Sequence, residues 1–319
     1  MAFRIIVTRN FEQMSEVAAK VVLDGITAGL NRKEGFTLGL ATGSSPTGLY
    51  KHLASAANGG IFDPARVRSF NLDEYVGLPG ENAQQRALHP ESYSFFMIQE
   101  LFGLLRKKFR EVNVPWGTLI DQARLTAEME SHPEDWKAEG ADKGKSIVIR
   151  PDARSEYLGW VRREILDAYG DKIGRTGGID LQVIGVGGRG HVAFHESGIP
   201  FAGSRVLLVR LDDNTVGNAV TDGHFVTREE SPQYAISMGA ELVYGAKTVL
   251  LLASGGRKTG PIAESILGAP SPMVPISYGQ VYAQNGGRLI YVIDREAGAG
   301  ILAQADQVRQ KGIEIEIVG

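Results

Sequence analysis

Two carboxylates stand side by side at the end of a short apolar run, in Ser69-Phe70-Asn71-Leu72-Asp73-Glu74-Tyr75. A carboxylate at the carboxyl end of a strand can take a proton from a bound ligand and return it. Neighbours along an extended chain point to opposite faces, so at most one of Asp73 and Glu74 need face the ligand. The competing reading of this pair is a solvated acidic turn.

A second group follows another apolar run, in Gly185-Val186-Gly187-Gly188-Arg189-Gly190-His191-Val192-Ala193-Phe194-His195-Glu196. Gly185, Gly187 and Gly190 imitate a dinucleotide fingerprint, with Asp212 about twenty residues on. That fingerprint needs a helix next, and this segment instead carries Gly198, Pro200 and Gly203 with no helical period. His191 and His195, four apart beside Glu196, would suit zinc on a helix. The segment is not predicted helical and the order is not H-E-x-x-H, so no metal is assigned. What remains is a glycine-rich loop presenting His191 and Glu196 as an acid–base pair.

Two further loops could hold an anion. Gly39-Leu40-Ala41-Thr42-Gly43-Ser44-Ser45-Pro46 joins a strand to a helix, where small hydroxylated residues leave backbone N–H groups free for a phosphate. It matches neither nucleotide-loop pattern, and a tight capped turn is the alternative. Lys258, at the opening of a helix after Ser254-Gly255-Gly256-Arg257, could clamp a phosphate or simply face solvent. Serine acyl transfer has no G-x-S-x-G or S-x-x-K signature.

The frame that must position these loops reads as alternating strands and helices. Apolar runs predict strands at 3–7, 36–40, 67–71, 179–184, 206–210, 248–253 and 289–293. Helical patterns fall at 11–30, at 46–53 with Ser45 as its N-cap, and at 91–105, 154–169, 234–244 and 258–267. The expected fold is α/β, a doubly wound, Rossmann-like, mostly parallel sheet with helices on both faces. Ligands of such sheets sit beyond the carboxyl ends of the strands. One domain is expected over 1–319, with a polar surface insertion near 113–154.

Composition narrows the function further. The chain has 319 residues, 43% hydrophobic and 22% charged, with no cysteine and a net charge of −3. Absent cysteines exclude disulfides, thiolate catalysis and thiolate-bound zinc. There is no basic block for nucleic acid, no run of membrane-span length and no signal-peptide pattern. A cytoplasmic enzyme acting on a small molecule is expected, and a homo-oligomer is left open.

Taken together, the loops resemble those of the glucosamine-6-phosphate deaminases, within a wider group that includes the 6-phosphogluconolactonases. Leu38–Pro46 looks like the family's phosphate loop. Phe70–Leu78 followed by His89-Pro90-Glu91-Ser92-Tyr93 looks like its deaminase signature, and Gly185–Glu196 like its catalytic loop. Ser204-Arg205, Thr215, Asn218-Ala219 and Lys258 also fit. The resemblance implies ring opening of an amino-sugar phosphate, a C2-to-C1 proton shift and release of ammonia, without a cofactor. It implies Asp73 as the base, His191 as the group at the ring oxygen held by Glu196, and Thr42, Gly43, Ser44 and Lys258 around the phosphate. Glu74, Arg189 and Arg205 are candidate substrate contacts. Arg189 departs from the family, which has an acceptor there; the expectation is that it turns away from the pocket and leaves Glu196 to hold His191.

Overall fold

The computed structural model describes residues 2–221 and 223–318. In chain order its strands are β1 (Phe3–Thr8), β2 (Phe36–Leu40), β3 (Val67–Asn71), β4 (Asp73–Val76), β5 (Glu111–Asn113), β6 (Trp136–Glu139), β7 (Lys145–Ile149), β8 (Leu181–Ile184), β9 (Val206–Arg210), β10 (Tyr234–Met238), β11 (Thr248–Ala253), β12 (Arg288–Asp294) and β13 (Glu314–Ile317). Eight of them form one sheet in the order β13-β1-β12-β11-β8-β2-β3-β5, and every pairing in it is parallel. Both faces are covered, as a parallel sheet requires. Along β11, Leu250 and Leu252 join the cluster of Met14, Val22 and Leu53. Val249, Leu251 and Ala253 point the other way, into the cluster of Ile262, Ile266 and Ile301.

The first face is roofed by α1 (Phe11–Leu30) and α2 (Thr47–Asn58). Asn10 caps α1 by accepting from the Gln13 N–H at 3.1 Å, and Met14, Ala18, Val22 and Ile26 give the buried stripe at four-residue spacing. The N-cap of α2 is Pro46 rather than Ser45, and no side chain caps that helix. Its opening N–H groups are thus left without a side-chain acceptor.

A second sheet departs from the sequence expectation. Its order is β4-β10-β9-β7-β6, and it is antiparallel throughout. Two readings are corrected by it. Residues 234–244 are not one helix: Tyr234–Met238 is a strand, followed after Gly239 by a short helix, Ala240–Val243. A five-residue apolar run has no period long enough to distinguish the two states, and pairing on both sides decided the matter. Residues 113–154 are not irregular. They supply β6 and β7, and Ile120, Leu125, Met129, Ile147 and Ile149 are buried in a cluster with Leu158, Ile165 and Leu208. The expected helix over 91–105 is shorter, Tyr93–Met97 continued by one π-type turn to Phe102.

Strands β3 and β4 are one nearly continuous run interrupted at Leu72, whose N–H bonds the Leu40 carbonyl at 3.0 Å. The run leaves the parallel sheet at Asn71 and enters the antiparallel sheet at Asp73. The seam between the sheets is therefore also the carboxyl end of β3.

Candidate active site

Asp73 is the first residue past that seam. It is 5% exposed, pairs with Ser237 across β4 and β10, and its Oδ1 lies 3.5 Å from the Thr42 hydroxyl. Burial pushes its carboxyl well above the usual range. The neighbouring Glu74 charge adds to the rise, and the Thr42 contact opposes it. A carboxylate tuned upward is a stronger base near neutral pH than a solvated one.

Glu74 goes elsewhere. Its Oε1 accepts from the Tyr75 and Tyr93 N–H groups at 2.9 and 3.0 Å. Its Oε2 accepts from Ser92 Oγ, Ser94 N and Ser94 Oγ, each at 2.9 Å. Four donors at the opening of the helix Tyr93–Met97 and the Tyr75 N–H of β4 occupy the carboxylate, so Glu74 anchors that helix. Burial raises its carboxyl, and the bonds from Tyr93, Ser94 and Ser92 pull it back.

The glycine-rich segment after β8 is a compact loop, closed by an antiparallel bridge between Val192 and His195 and by Gly187 N–H to the His191 carbonyl at 3.1 Å. The His191 ring lies so close over Gly187 that any Cβ there would collide with it. Glycine at 187 is thus a packing requirement of the imidazole, not part of a nucleotide fingerprint. His191 is one-fifth exposed, and its Nδ1 is 3.5 Å from Glu196 Oε2. Glu196 in turn accepts from Thr215 Oγ1 at 2.6 Å and from the Asp212 N–H at 3.4 Å. Burial pushes the Glu196 carboxyl up, but His191, Thr215 and the Asp212 N–H outweigh it and hold the group below its usual range. The Glu196 carboxylate beside His191 fixes the position of the ring, and an imidazole can give or take a proton there.

His195 plays a different part. It is fully buried, its Nδ1 accepts from the Ala240 N–H at 2.9 Å, and its Nε2 is 3.1 Å from the Ile199 carbonyl. Only the neutral ring with hydrogen on Nε2 satisfies both bonds. Burial lowers its pKa to about 4. With both nitrogens engaged, His195 has none to share with His191 on a metal.

Arg189 turns from His191 to other acids. Its guanidinium pairs with Asp142, in the turn between β6 and β7, and with Asp212 at 3.4 Å. Arg205 is half exposed and pairs with Asp171 at 3.3 Å, on the helix Ala168–Arg175. Lys258 reaches across to the catalytic loop, where its Nζ donates to the Val186 carbonyl at 2.7 Å. Thr42, Gly43 and Ser44 line the turn between β2 and α2, with Gly43 and Ser44 exposed. The Tyr50 hydroxyl holds that turn through the Ala41 carbonyl.

Direct contacts join the four loops. Thr42 touches Asp73; Asp73 faces Ser237; the Ser237 hydroxyl accepts from the Phe194 N–H at 3.0 Å. Phe194 then stacks on Tyr93 at 5.9 Å and packs on Tyr75 at 5.2 Å. Sequence reasoning missed Ser237, because its strand read as helix, and it assigned Thr215 no role. By contrast, a cavity of about 820 Å³ between α1 and the amino ends of β1, β8, β11 and β12 contains none of the candidate residues.

No family model matches the chain. It is similar to the glucosamine-6-phosphate deaminase of Clostridium botulinum (strain Loch Maree / Type A3), 31% identical over 296 residues, covering 93% of this chain and 98% of the relative. The glucosamine-6-phosphate deaminase of Alkaliphilus oremlandii (strain OhILAs) is 32% identical over 293 residues, covering 92% and 98%. Among solved structures, a monomeric glucosamine-6-phosphate deaminase superposes with a TM-score of 0.68 at 25% identity, covering 93% of this chain and 99% of the other. The 6-phosphogluconolactonase from Trypanosoma cruzi shares the fold, with a TM-score of 0.60 at 19% identity over 94% of this chain and 98% of the other.

Proposed function

The chain belongs to the glucosamine-6-phosphate deaminase family, and from that premise we propose that it converts glucosamine 6-phosphate and water to fructose 6-phosphate and ammonia. The reaction begins with ring opening, in which His191 gives a proton to the ring oxygen while the C1 hydroxyl loses one. Asp73 then takes the C2 proton and returns it to C1. With the C1 oxygen gaining a proton and the amine giving one up, this shift turns the amino aldehyde into an imine at C2 with a hydroxyl at C1. Water adds to C2, ammonia leaves with the electron pair of the C–N bond, and a ketone remains. Water replaces the amine, so the reaction is an isomerisation and a hydrolysis at once.

The observation that carries this reading is the chain of contacts joining Thr42, Asp73, Ser237 and Phe194. It links a buried, upward-tuned carboxyl through Ser237 to the loop that carries the His191–Glu196 pair, which supports the reading. One carboxylate within reach of two adjacent carbons is what a proton shift between them needs. The uncapped opening of α2, with Thr42, Gly43, Ser44 and Lys258, would hold the phosphate and orient the sugar. Arg189 and Arg205 are engaged with acids on the protein and are given no substrate contact. Among the described residues no helix is long and apolar enough to cross a membrane. A charged phosphorylated substrate is in keeping with a cytoplasmic site of action.

The test is to incubate the pure protein with glucosamine 6-phosphate and measure ammonia and ketose together. Glucosamine, glucose 6-phosphate and 6-phosphogluconolactone serve as comparators. Equal amounts of ammonia and fructose 6-phosphate are expected from the first alone. Lactone hydrolysis without ammonia release would replace this reading.

A further inference from the structure

The loop that carries the general acid of the proposed reaction lies against a part of the chain distant from it in sequence. The turn at residues 140–144, between β6 and β7, touches the catalytic loop at two points, the segment just after it at one and the helix that carries Thr215 at another. The Ala141 N–H donates to the Gly198 carbonyl at 2.9 Å. Asp142 pairs with Arg189. Lys143 pairs with Asp213 at 3.6 Å, at the start of the helix that carries Thr215. Gly144 lies against Glu196, where an added Cβ would stand 2.6 Å from the Glu196 Cβ. The turn is itself closed by Lys145 Nζ donating to the Gly140 carbonyl at 2.8 Å.

From these contacts we propose that the β6–β7 turn is a positioning element for His191, with Asp142 as its electrostatic latch and Gly144 as the seat of Glu196. The inference rests on the deaminase reading for its kinetic consequence but not for its physical one. Asp142 neutralises a guanidinium that stands two residues from His191 in the loop. Among the described residues Arg189 otherwise keeps Asp212, whose own N–H bonds Glu196. Releasing Arg189 therefore disturbs both the charge balance of the loop that carries His191 and the support of its carboxylate. Gly144 acts by shape, because a larger residue would push Glu196 from its place 3.5 Å from His191. His191 pairs with Glu196, which Thr215 and the Asp212 N–H hold in turn, while Arg189 pairs with Asp142 and Asp212 and Lys258 bonds the Val186 carbonyl. Only the Asp142–Arg189 pair spans the turn and the loop.

The experiment uses the full chain with Asp142→Asn, Gly144→Val and the exchange Asp142→Arg with Arg189→Asp. It follows the His191 imidazole by NMR titration and the kinetics of ammonia release. Loss of the Asp142 charge should move the His191 titration measurably, because it leaves the Arg189 guanidinium without this partner. It should lower kcat fivefold to a hundredfold, as expected for a displaced catalytic group, with KM little changed. Gly144→Val should lower kcat by a similar factor, and the charge exchange should recover most of what Asp142→Asn loses. The inference is overturned if Asp142→Asn leaves the His191 titration unmoved and kcat within twofold, or if the exchange recovers nothing in a folded protein. Should Gly144→Val not fold, Gly144→Ala with the same readouts takes its place. A wild type that releases no ammonia would instead reject the deaminase reading, and the titration would still decide the role of the turn.

Discussion

Asp73→Asn should make the protein more stable while removing its proposed chemistry. Asp73 is nearly inaccessible and has one hydroxyl contact at 3.5 Å, with Glu74 beside it. Burial first, and then the Glu74 charge, raise its carboxyl above its unfolded pKa. The folded chain therefore holds the Asp73 proton more tightly than the unfolded chain does. A raised carboxyl contributes fully to stability below the unfolded pKa and loses that contribution as pH rises through the folded value. Asparagine mimics the protonated acid, so it gains nothing near pH 3.8 and progressively more toward pH 8. The gain should be about 1–3 kcal/mol, the cost of burying a polar group short of partners. An unfolding entropy near 2.1 cal/mol/K per residue makes each kcal/mol worth about 1.5 °C in a chain this long. Thermal unfolding from pH 4 to 8 should show a Tm rise of roughly 2–4 °C at the upper end only. Exchange of the substrate C2 proton with D₂O, followed by NMR, should fall by a factor of about 10²–10⁴, the range for a positioned general base. A variant whose Tm is unchanged or lower at pH 8 refutes the electrostatic argument, and undiminished exchange removes Asp73 from the mechanism.

Glu74→Gln should do the reverse, costing about 1–3 kcal/mol because an amide presents hydrogens to at least two of the five donors now bound; a Tm equal to wild type would show that the helix Tyr93–Met97 does not depend on the carboxylate. Lys258→Ala should raise KM for glucosamine 6-phosphate roughly tenfold to a hundredfold, the worth of one charge-assisted bond, with little change in Tm. An equal loss of affinity for unphosphorylated glucosamine would show that Lys258 does not meet the phosphate. His195 has its pKa lowered to about 4 by burial, opposed by its bond to Ile199. Its contribution to stability is thus complete above about pH 6.5 and erodes as pH falls toward 4. The stability difference between wild type and His195→Gln should shrink over that window, and a pH-independent difference would mean the ring is not held neutral.

The sequence by itself determined the parallel sheet. The runs at 36–40, 67–71 and 248–253 have the same boundaries in the structure; 36–40 and 248–253 are largely apolar, as strands buried on both faces must be, and stop where glycine or polar residues begin. It also determined which loops stand at the carboxyl ends, and hence that Asp73, His191 and Lys258 belong to one region. Tertiary structure alone decided three things. The run 234–238 became a strand because β4 and β9 were present to pair with it, and Ser237 was thereby set between Asp73 and Phe194. Residues 113–154 read as polar and irregular because β6 and β7 are short, and their buried side chains find a core only against β9 and the helix carrying Leu158 and Ile165. The partners of each charge could not be read from spacing. Glu74 is held by Ser92 and Ser94, eighteen and twenty residues away, and Arg189 by Asp142, forty-seven away. A side chain's partner depends on which surfaces the folded chain brings within about 4 Å, and local sequence has no term for that distance.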